Sequence, residues 1–545
     1  MKKSKKLLSL ILFLCLNQFL VKGVNIQPVE RSIGKLKISI DPRVEILTTV
    51  QLLSNYPMID RTSPYSREIM NYFETFASHE AVSMTDILFE KHGFSFDAPL
   101  GFMSYLSHLP ELEQKIAFTH ELRLRSGGGD NLEQYRKAIK QFSEISNFES
   151  FWNKRIPLYN QIIDLTIADI TEMDLVKILE GYFNETNESY NIVIVPSLKG
   201  GYGHTITDAD GKKLLYSFCL TSDMKDDIPY LHGNNFFDLV WHEFGHGFVN
   251  PLSEKHSERV SSLNKLFEPI RAKMSSMYYG AWKICVDEHV IRAVNTRLFE
   301  LYLGSQQSKA MLESELQRRF IYIEPLIEKL KDFEKRRDQN GITFSEFYPE
   351  LLNVLDSLLK IEYWTQVDVN FNGPIIGTIM EKRLAIIYPT CDFDSEALEI
   401  AKKQSLLTFD RFYSEMGGIL LADTTALKTD LSGYGIIAYG TIESNLFLKR
   451  YAATFPFRIE NQTIYADKEY TDKDLKFITC VPNPHNPQKG MSIYTALSNR
   501  AIQDIDDALH KGDFQFLFED YILFLNLETV VSRGFYKNTN EKWTF

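Results

Sequence analysis

At 545 residues the chain is too long for one ordinary hydrophobic core, and domain-size scaling predicts two to four units. Its 44% hydrophobic and 13% aromatic content excludes a disordered or fibrous chain. A formal charge of −12 disfavours nucleic acid and anionic lipid as partners.

The first 23 residues, MKKSKKLLSLILFLCLNQFLVKG, combine lysines, an apolar run from Leu7 to Leu16, and Val21 and Gly23 at cleavage-site positions. This is the pattern of a secretory signal peptide. Its removal, with five lysines and no acid, would take the charge from −12 to −17. No later segment approaches the roughly 20 apolar residues of a membrane span, so the expectation is an exported chain, periplasmic or extracellular, with no transmembrane segment after cleavage. Cys219, Cys285, Cys391 and Cys480 are widely spaced and form no CxxC pair. That spacing argues against thiolate zinc sites and a dense disulfide framework, and leaves pairing and oligomeric state open.

Residues 24–185 read mostly as helices, with breaks at Pro57, Pro64, Pro99, Pro110 and the SGGGD turn, and one short strand in GKLKISI. NIVIVPS (191–197) and LLYSFCLT (214–221) read as strands around a turn-rich stretch, KGGYGHTITDADGKK. Helical spacing returns after Asn235 and continues to about residue 360. From FNGPIIG onward, strand-like runs (383–390, 417–427, 433–441, 474–484) alternate with helical ones (394–414, from Glu443, 493–509). This predicts a mainly parallel sheet in a separate α/β unit. The expected organisation is α+β: a mainly helical unit over 24–375, with parts 24–185, 186–300 and 301–375, then an α/β, Rossmann-like unit over 376–545.

The chemistry concentrates in FFDLVWHEFGHGFVN. Asn235 and Asp238 can cap the start of this helix and Asn250-Pro251 can end it. His242 and His246, four residues apart, share a helical face and can meet one metal ion. Glu243 is placed to take a proton from water activated by that ion rather than to ligate it. A purely structural pair of carbonyl-bonded histidines is the plain alternative.

A catalytic zinc wants a third protein ligand, and Leu252 stands where a third histidine would extend the motif. Glu288, in YYGAWKICVDEHVIRAVNTRL, shares a helical face with Ile284, Ile291 and Asn295, and an acid among apolar neighbours is costly unless paired or ligating. Arg292, one turn on, fits a salt bridge with it. Glu288 is therefore either the third ligand, supported by Arg292 or Asp287, or half of a helix ion pair. Asp287, His289, Glu254, His256 and Glu258 are its rivals. For the developing oxyanion, His204, Tyr202, His289, Tyr278 and Tyr279 are the available donor types. The glycines of GGYGH would let an extended peptide approach and pair with a strand edge.

With this helix, HEFGH and a downstream glutamate, the region resembles the gluzincin class of zinc peptidases. More specifically, HEAVSMTDILFEKHGFSFDAP, NIVIVPS, HEFGHGFVNPL and DEHVIRAV resemble a secreted bacterial family catalogued only as a domain of unknown function, over roughly residues 30–370. That likeness implies a zincin-like fold and one zinc ion, and brings no known substrate. IIAYGTIESN, FPFRI and VPNPHNP are similar to an α/β module appended to secreted bacterial hydrolases. There Ser444, Asn445, Asn483 and His485 either line a recognition site or cap and turn the chain.

The expected function is an exported zinc metallopeptidase acting on peptide or protein substrates, with His242, His246 and Glu288 as ligands and Glu243 as base. A zincin-shaped binding or scaffold protein, or a metal-dependent hydrolase of other amides or esters, are the competing expectations.

Overall fold

The computed structural model describes residues 26–170, 173–361, 370–379, 381, 383–410, 418–505, 517–526, 529–539 and 542–545. The signal-peptide reading falls outside the described residues. Among those described, no helix is long and apolar enough to cross a membrane.

The fold is mixed α/β. Its first sheet contains β1 (Val29–Ile33), β2 (Leu36–Ile40), β3 (Ser189–Ile194), β4 (Tyr202–Thr207) and β5 (Lys213–Cys219), in the order β1-β2-β3-β5-β4. The middle strands β2, β3 and β5 run parallel, and β1 and β4 flank them antiparallel. β3 is buried from Tyr190 to Ile194, as a central strand covered on both faces must be. β4 is different: of YGHTIT only Ile206 is buried, and the strand lies outermost. The turn-rich reading of this stretch is therefore corrected. Its glycines and polar residues mark an edge strand, whose side chains need not satisfy two buried faces.

Five helices frame the site: α1 (Asp97–Ser104), α2 (Gly233–Lys255), α3 (Arg271–Ser276), α4 (Trp282–Tyr302) and α5 (Ser305–Gln317). α2 does not end at Asn250-Pro251; it runs on to Lys255 with Pro251 inside it. An internal proline costs a helix about 3 kcal/mol, so packing must hold the last turn. Leu252 and Ser253 supply it, both buried, with the Ser253 hydroxyl bonded to Asp287 and Tyr348 of other helices. The start also differs, since His232 is the cap residue and Asp238 lies within the helix, accepting a hydrogen bond from Asn295 at 2.8 Å. The Asn235 side chain lies outside the described positions.

Glycines seat α2. A Cβ on Gly247 would overlap Leu215 of β5, one on Gly245 would crowd Ile291 of α4, and one on Gly201 would overlap Leu239. Close approach of α2 to the sheet edge and to α4 is what these residues provide. Gly201→Ala should cost about 1–3 kcal/mol through overpacking, read as a lower denaturant midpoint; an unchanged midpoint would mean that the loop yields freely.

The second sheet contains β6 (Leu384–Tyr388), β7 (Ile419–Ala422), β8 (Gly435–Tyr439), β9 (Lys476–Asn483), β10 (Asn486–Ala496), β11 (Tyr521–Asn526) and β12 (Thr529–Gly534), in the order β12-β11-β9-β10-β8-β6-β7. β10, β8, β6 and β7 are parallel; β9, β11 and β12 are antiparallel. The sheet is thus mixed rather than mainly parallel. The helix expected from residue 493 is instead the end of β10, where Met491–Tyr494 pair with Ile436–Tyr439. MSIYTA is buried throughout, so it shows no alternation, and its β-branched and aromatic content was the better signal.

Candidate metal centre

α2 and α4 cross so that Glu288 meets both motif histidines. Glu288 Oε2 lies 3.5 Å from His242 Nε2, and Oε1 lies 3.6 Å from His246 Nε2. One ligand atom from each of the three residues falls within 4.8 Å of the others, in a group that can hold a metal ion. The imidazoles are partly buried and Glu288 is buried at 5% exposure. Two imidazole nitrogens and a carboxylate, gathered away from water, suit a divalent cation.

The surroundings fix each donor. His246 Nδ1 lies 3.1 Å from Asn250 Oδ1, an acceptor to which the ring donates, and this contact turns Nε2 toward Glu288. Asn250 is thus a hydrogen-bond partner one turn along the helix, not its terminator. Asn250→Ala should weaken metal binding about 10- to 100-fold, measured by competition with a chelating dye; unchanged affinity would deny it this role.

Glu288 is also held by Arg292, at 2.9 Å from one guanidinium nitrogen and 3.1 Å from Nε. Arg292 in turn pairs with Glu315 of α5 at 2.6 Å, reaches the Tyr279 hydroxyl at 3.3 Å, and lies over the Phe320 ring. Burial works against its charge, but Glu315 and Glu288 hold the guanidinium pKa well above its usual value. Burial, then Arg292, keeps His242 well below the usual imidazole range. At His246 burial is outweighed by Glu288 and Glu243, which raise its pKa.

Glu243 lies under the edge strand. A Cβ on Gly203 would come within 2.7 Å of Glu243 Oε2, and the Gly203 amide donates to that carboxylate. Burial is the main force raising the Glu243 pKa to about 7, with Glu288 adding to it and His246 opposing. A carboxyl poised near neutrality beside a cation site is suited to moving a proton.

Other residues singled out in the sequence go elsewhere. Side chains alternate along β4: Gly203 and, just before the strand, Gly201 face α2, so Tyr202 and His204 face away from it. His204 pairs with Asp97 at 3.1 Å and its ring lies against Gly101 of α1, while Tyr202 packs on Phe96. Asp287 accepts from Ser253 and lies 3.4 Å from Lys283. The His289 ring bonds the Cys285 carbonyl at 2.6 Å between Phe320 and Tyr322, and burial pushes its pKa down to about 4. Glu254 and Glu258 are exposed, and His256 stacks on Tyr348. Glu315 was not legible: it arrives from α5, and no spacing rule ties it to Arg292.

In the second sheet, Asn445 caps the helix Leu446–Tyr451, Asn483 donates to the Leu431 and Tyr434 carbonyls, and His485 joins Leu431 to the Tyr451 hydroxyl. Ser444 bonds Asn499. Those contacts are capping and turning contacts. None of the four described cysteines is bridged.

A family model described as "Domain of unknown function (DUF4932)" matches residues 36–354, more than half of the chain. The chain belongs to the DUF4932 family. The matched span contains all three members of the candidate metal group and Glu243. No curated protein and no solved structure matches the chain.

Proposed function

We propose that the chain is an exported zinc-dependent metallopeptidase of zincin-like fold. The observation that carries this reading is the meeting of His242, His246 and Glu288 with Glu243 directly beside them, beneath an outermost strand. Ligands held about 2.0–2.2 Å from a tetrahedral zinc stand roughly 3.3–3.5 Å apart, close to the 3.5 and 3.6 Å found between Glu288 and the imidazoles. Bound there, the ion would supply Lewis acidity that makes water a nucleophile near neutral pH.

The chain's own groups supply the rest. Glu243 accepts the proton of the attacking water and returns it to the leaving amine, the role its raised pKa suits. Asn250 and Arg292 orient His246 and Glu288. β4 offers an extended backbone edge, which favours a peptide over a small ester because strand pairing recognises main chain independently of sequence. Retention of an acid at 243 speaks against a merely structural metal, which needs no base. The lysine-rich, apolar start of the sequence supports export. For the second sheet we propose a separate, Rossmann-like α/β unit from about residue 376.

Elemental analysis of the purified protein together with hydrolysis of a mixed peptide library tests the proposal. One zinc per chain and cleavage at discrete bonds are expected. Zinc without cleavage of any peptide would favour a scaffold.

A further inference from the structure

Two arginines share one buried carboxylate beside the metal group. Glu315 Oε1 accepts from Arg292 Nη1 at 2.6 Å and from Arg318 Nη1 at 3.2 Å. Arg292 is the residue that holds Glu288, and Glu288 Oε2 lies 3.5 Å from His242 Nε2. Both guanidiniums also lie over the Phe320 ring, at 4.3 and 5.5 Å from its centre. Arg318 thus stands one carboxylate away from Arg292 and, through it, next to a candidate metal ligand. Its charge is felt there. It joins burial, Arg292 and His246 in lowering the His242 pKa, and at Tyr279 it opposes burial and Glu288.

The end of α5 builds this arrangement. Arg318 is the C-cap of the helix, and Arg319 follows it with a left-handed φ of 70°. The Phe320 amide donates to the Glu315 carbonyl at 3.0 Å and the Arg319 amide to the Leu316 carbonyl at 2.9 Å. That pair of bonds is a Schellman closure, which folds the chain back on the last helical turn. Its left-handed position usually falls to glycine, and here a bulky arginine takes it. One turn therefore delivers the shared carboxylate, the second guanidinium and the ring on which both guanidiniums rest.

Arg318 keeps donors to spare. Its Nη1 bonds both Glu315 oxygens, at 3.2 and 3.3 Å, and among the described residues no hydrogen-bond partner takes Nε or Nη2. Those two nitrogens form the edge of the fork that clamps a carboxylate through parallel bonds. The side chain is 28% exposed, against 9% for Arg292 and 8% for Glu315, so a ligand reaches the cluster through Arg318. Charge balance points the same way. Glu315 faces two guanidiniums, and Glu288 is shared between Arg292 and the metal group. The remaining acid, Asp238, accepts from Asn295 at 2.8 Å, and burial, then Glu315, raises its pKa and favours its neutral form. With a divalent ion bound, positive charge is in excess where little water screens it, and an anion is its complement.

We propose that Arg318 recognises a carboxylate of the substrate through Nε and Nη2, so that the site acts on peptides whose cleaved bond lies near a chain-end α-carboxylate or an Asp or Glu side chain. This rests on the metallopeptidase reading and names its substrate class. A carboxylate so held should favour a peptide by about 10- to 100-fold in kcat/KM over its neutral amide, the effect of one charge-assisted pair.

The test uses the full-length, zinc-loaded protein and a peptide that wild type cleaves, prepared as the free acid, as the C-terminal amide, and with each Asp or Glu replaced by Asn or Gln. Wild type should lose about 10- to 100-fold on one neutralised form: the amide where a chain end is bound, the Asn or Gln form where a side chain is. Arg318→Met should lose the same factor on the acid and nothing further on that neutralised peptide. Arg318→Lys, which keeps the charge without the fork, should fall between. Calorimetric titration of the same peptides into zinc-loaded Glu243→Gln reads binding apart from turnover, and adding Arg318→Met there should erase the preference for the acid. Zinc content confirms that each variant is folded. Three outcomes overturn the recognition and leave the peptidase reading standing: wild type cleaving all forms equally, a carboxylate preference that survives in Arg318→Met, or equal losses by Arg318→Met on the acid and the neutralised peptide, the mark of a merely structural residue. Failure of wild type to cleave any peptide overturns the metallopeptidase reading and the recognition with it.

Discussion

Glu243→Gln should keep its metal and lose about two to four orders of magnitude in kcat for peptide hydrolysis, the contribution of a well-placed general base. The substitution preserves volume and leaves an amide oxygen to accept from the Gly203 amide, so β4 stays on α2. The candidate ligands His242, His246 and Glu288 are untouched. What disappears is the proton acceptor, whose affinity burial has raised into the neutral range. The two readouts separate cleanly: zinc by elemental analysis should stay at the wild-type ratio while turnover collapses. Turnover equal to wild type would sink the assignment of Glu243, whatever the metal does. Loss of metal together with turnover would instead mean that Glu243 is needed to build the site.

Much of the site was legible because its residues follow local rules. His242 and His246 are one turn apart on one helix, and that spacing alone predicts a shared face. Glu288 was legible as an acid in an apolar pattern that needed a partner. The structure gives it both candidate partners, Arg292 and the imidazoles, so the ion pair is formed and a ligand role is compatible with it. The failures share a physical cause, which is packing from distant residues. Pro251 looked like a terminus, but Ser253, bonded to Asp287 and Tyr348, holds the helix beyond it. Asn250 reads as an end signal before Pro251, although its i,i+4 spacing from His246 equally allows the contact found. The end of β10, from residue 493, reads as helix because a strand buried on both faces carries no period-two signal. His204 and Tyr202, in a stretch that reads as turn-rich, lie on an edge strand with their side chains away from α2, as the glycines at 201 and 203 show.

Glu288→Ala should abolish tight metal binding, with affinity falling by more than about 100-fold, beyond what loss of a supporting contact costs. Arg292→Met should do less, about 10- to 100-fold, because it frees Glu288 from its clamp without removing a donor. That order of effects distinguishes a ligand from a helix ion pair. Stability alone cannot, since either variant leaves a buried charge short of a partner, at a cost of about 3–5 kcal/mol when nothing compensates. For Glu288→Ala the cost should fall toward the lower end, because Glu315 still holds Arg292 at 2.6 Å. For Arg292→Met Glu288 loses its cation while Glu315 keeps Arg318 at 3.2 Å, and bound metal offsets the loss at Glu288. Metal should therefore raise the melting midpoint of Arg292→Met and leave that of Glu288→Ala unchanged. Metal retained at wild-type affinity in Glu288→Ala would transfer the third-ligand role elsewhere and leave Glu288 as the ion-pair partner of Arg292.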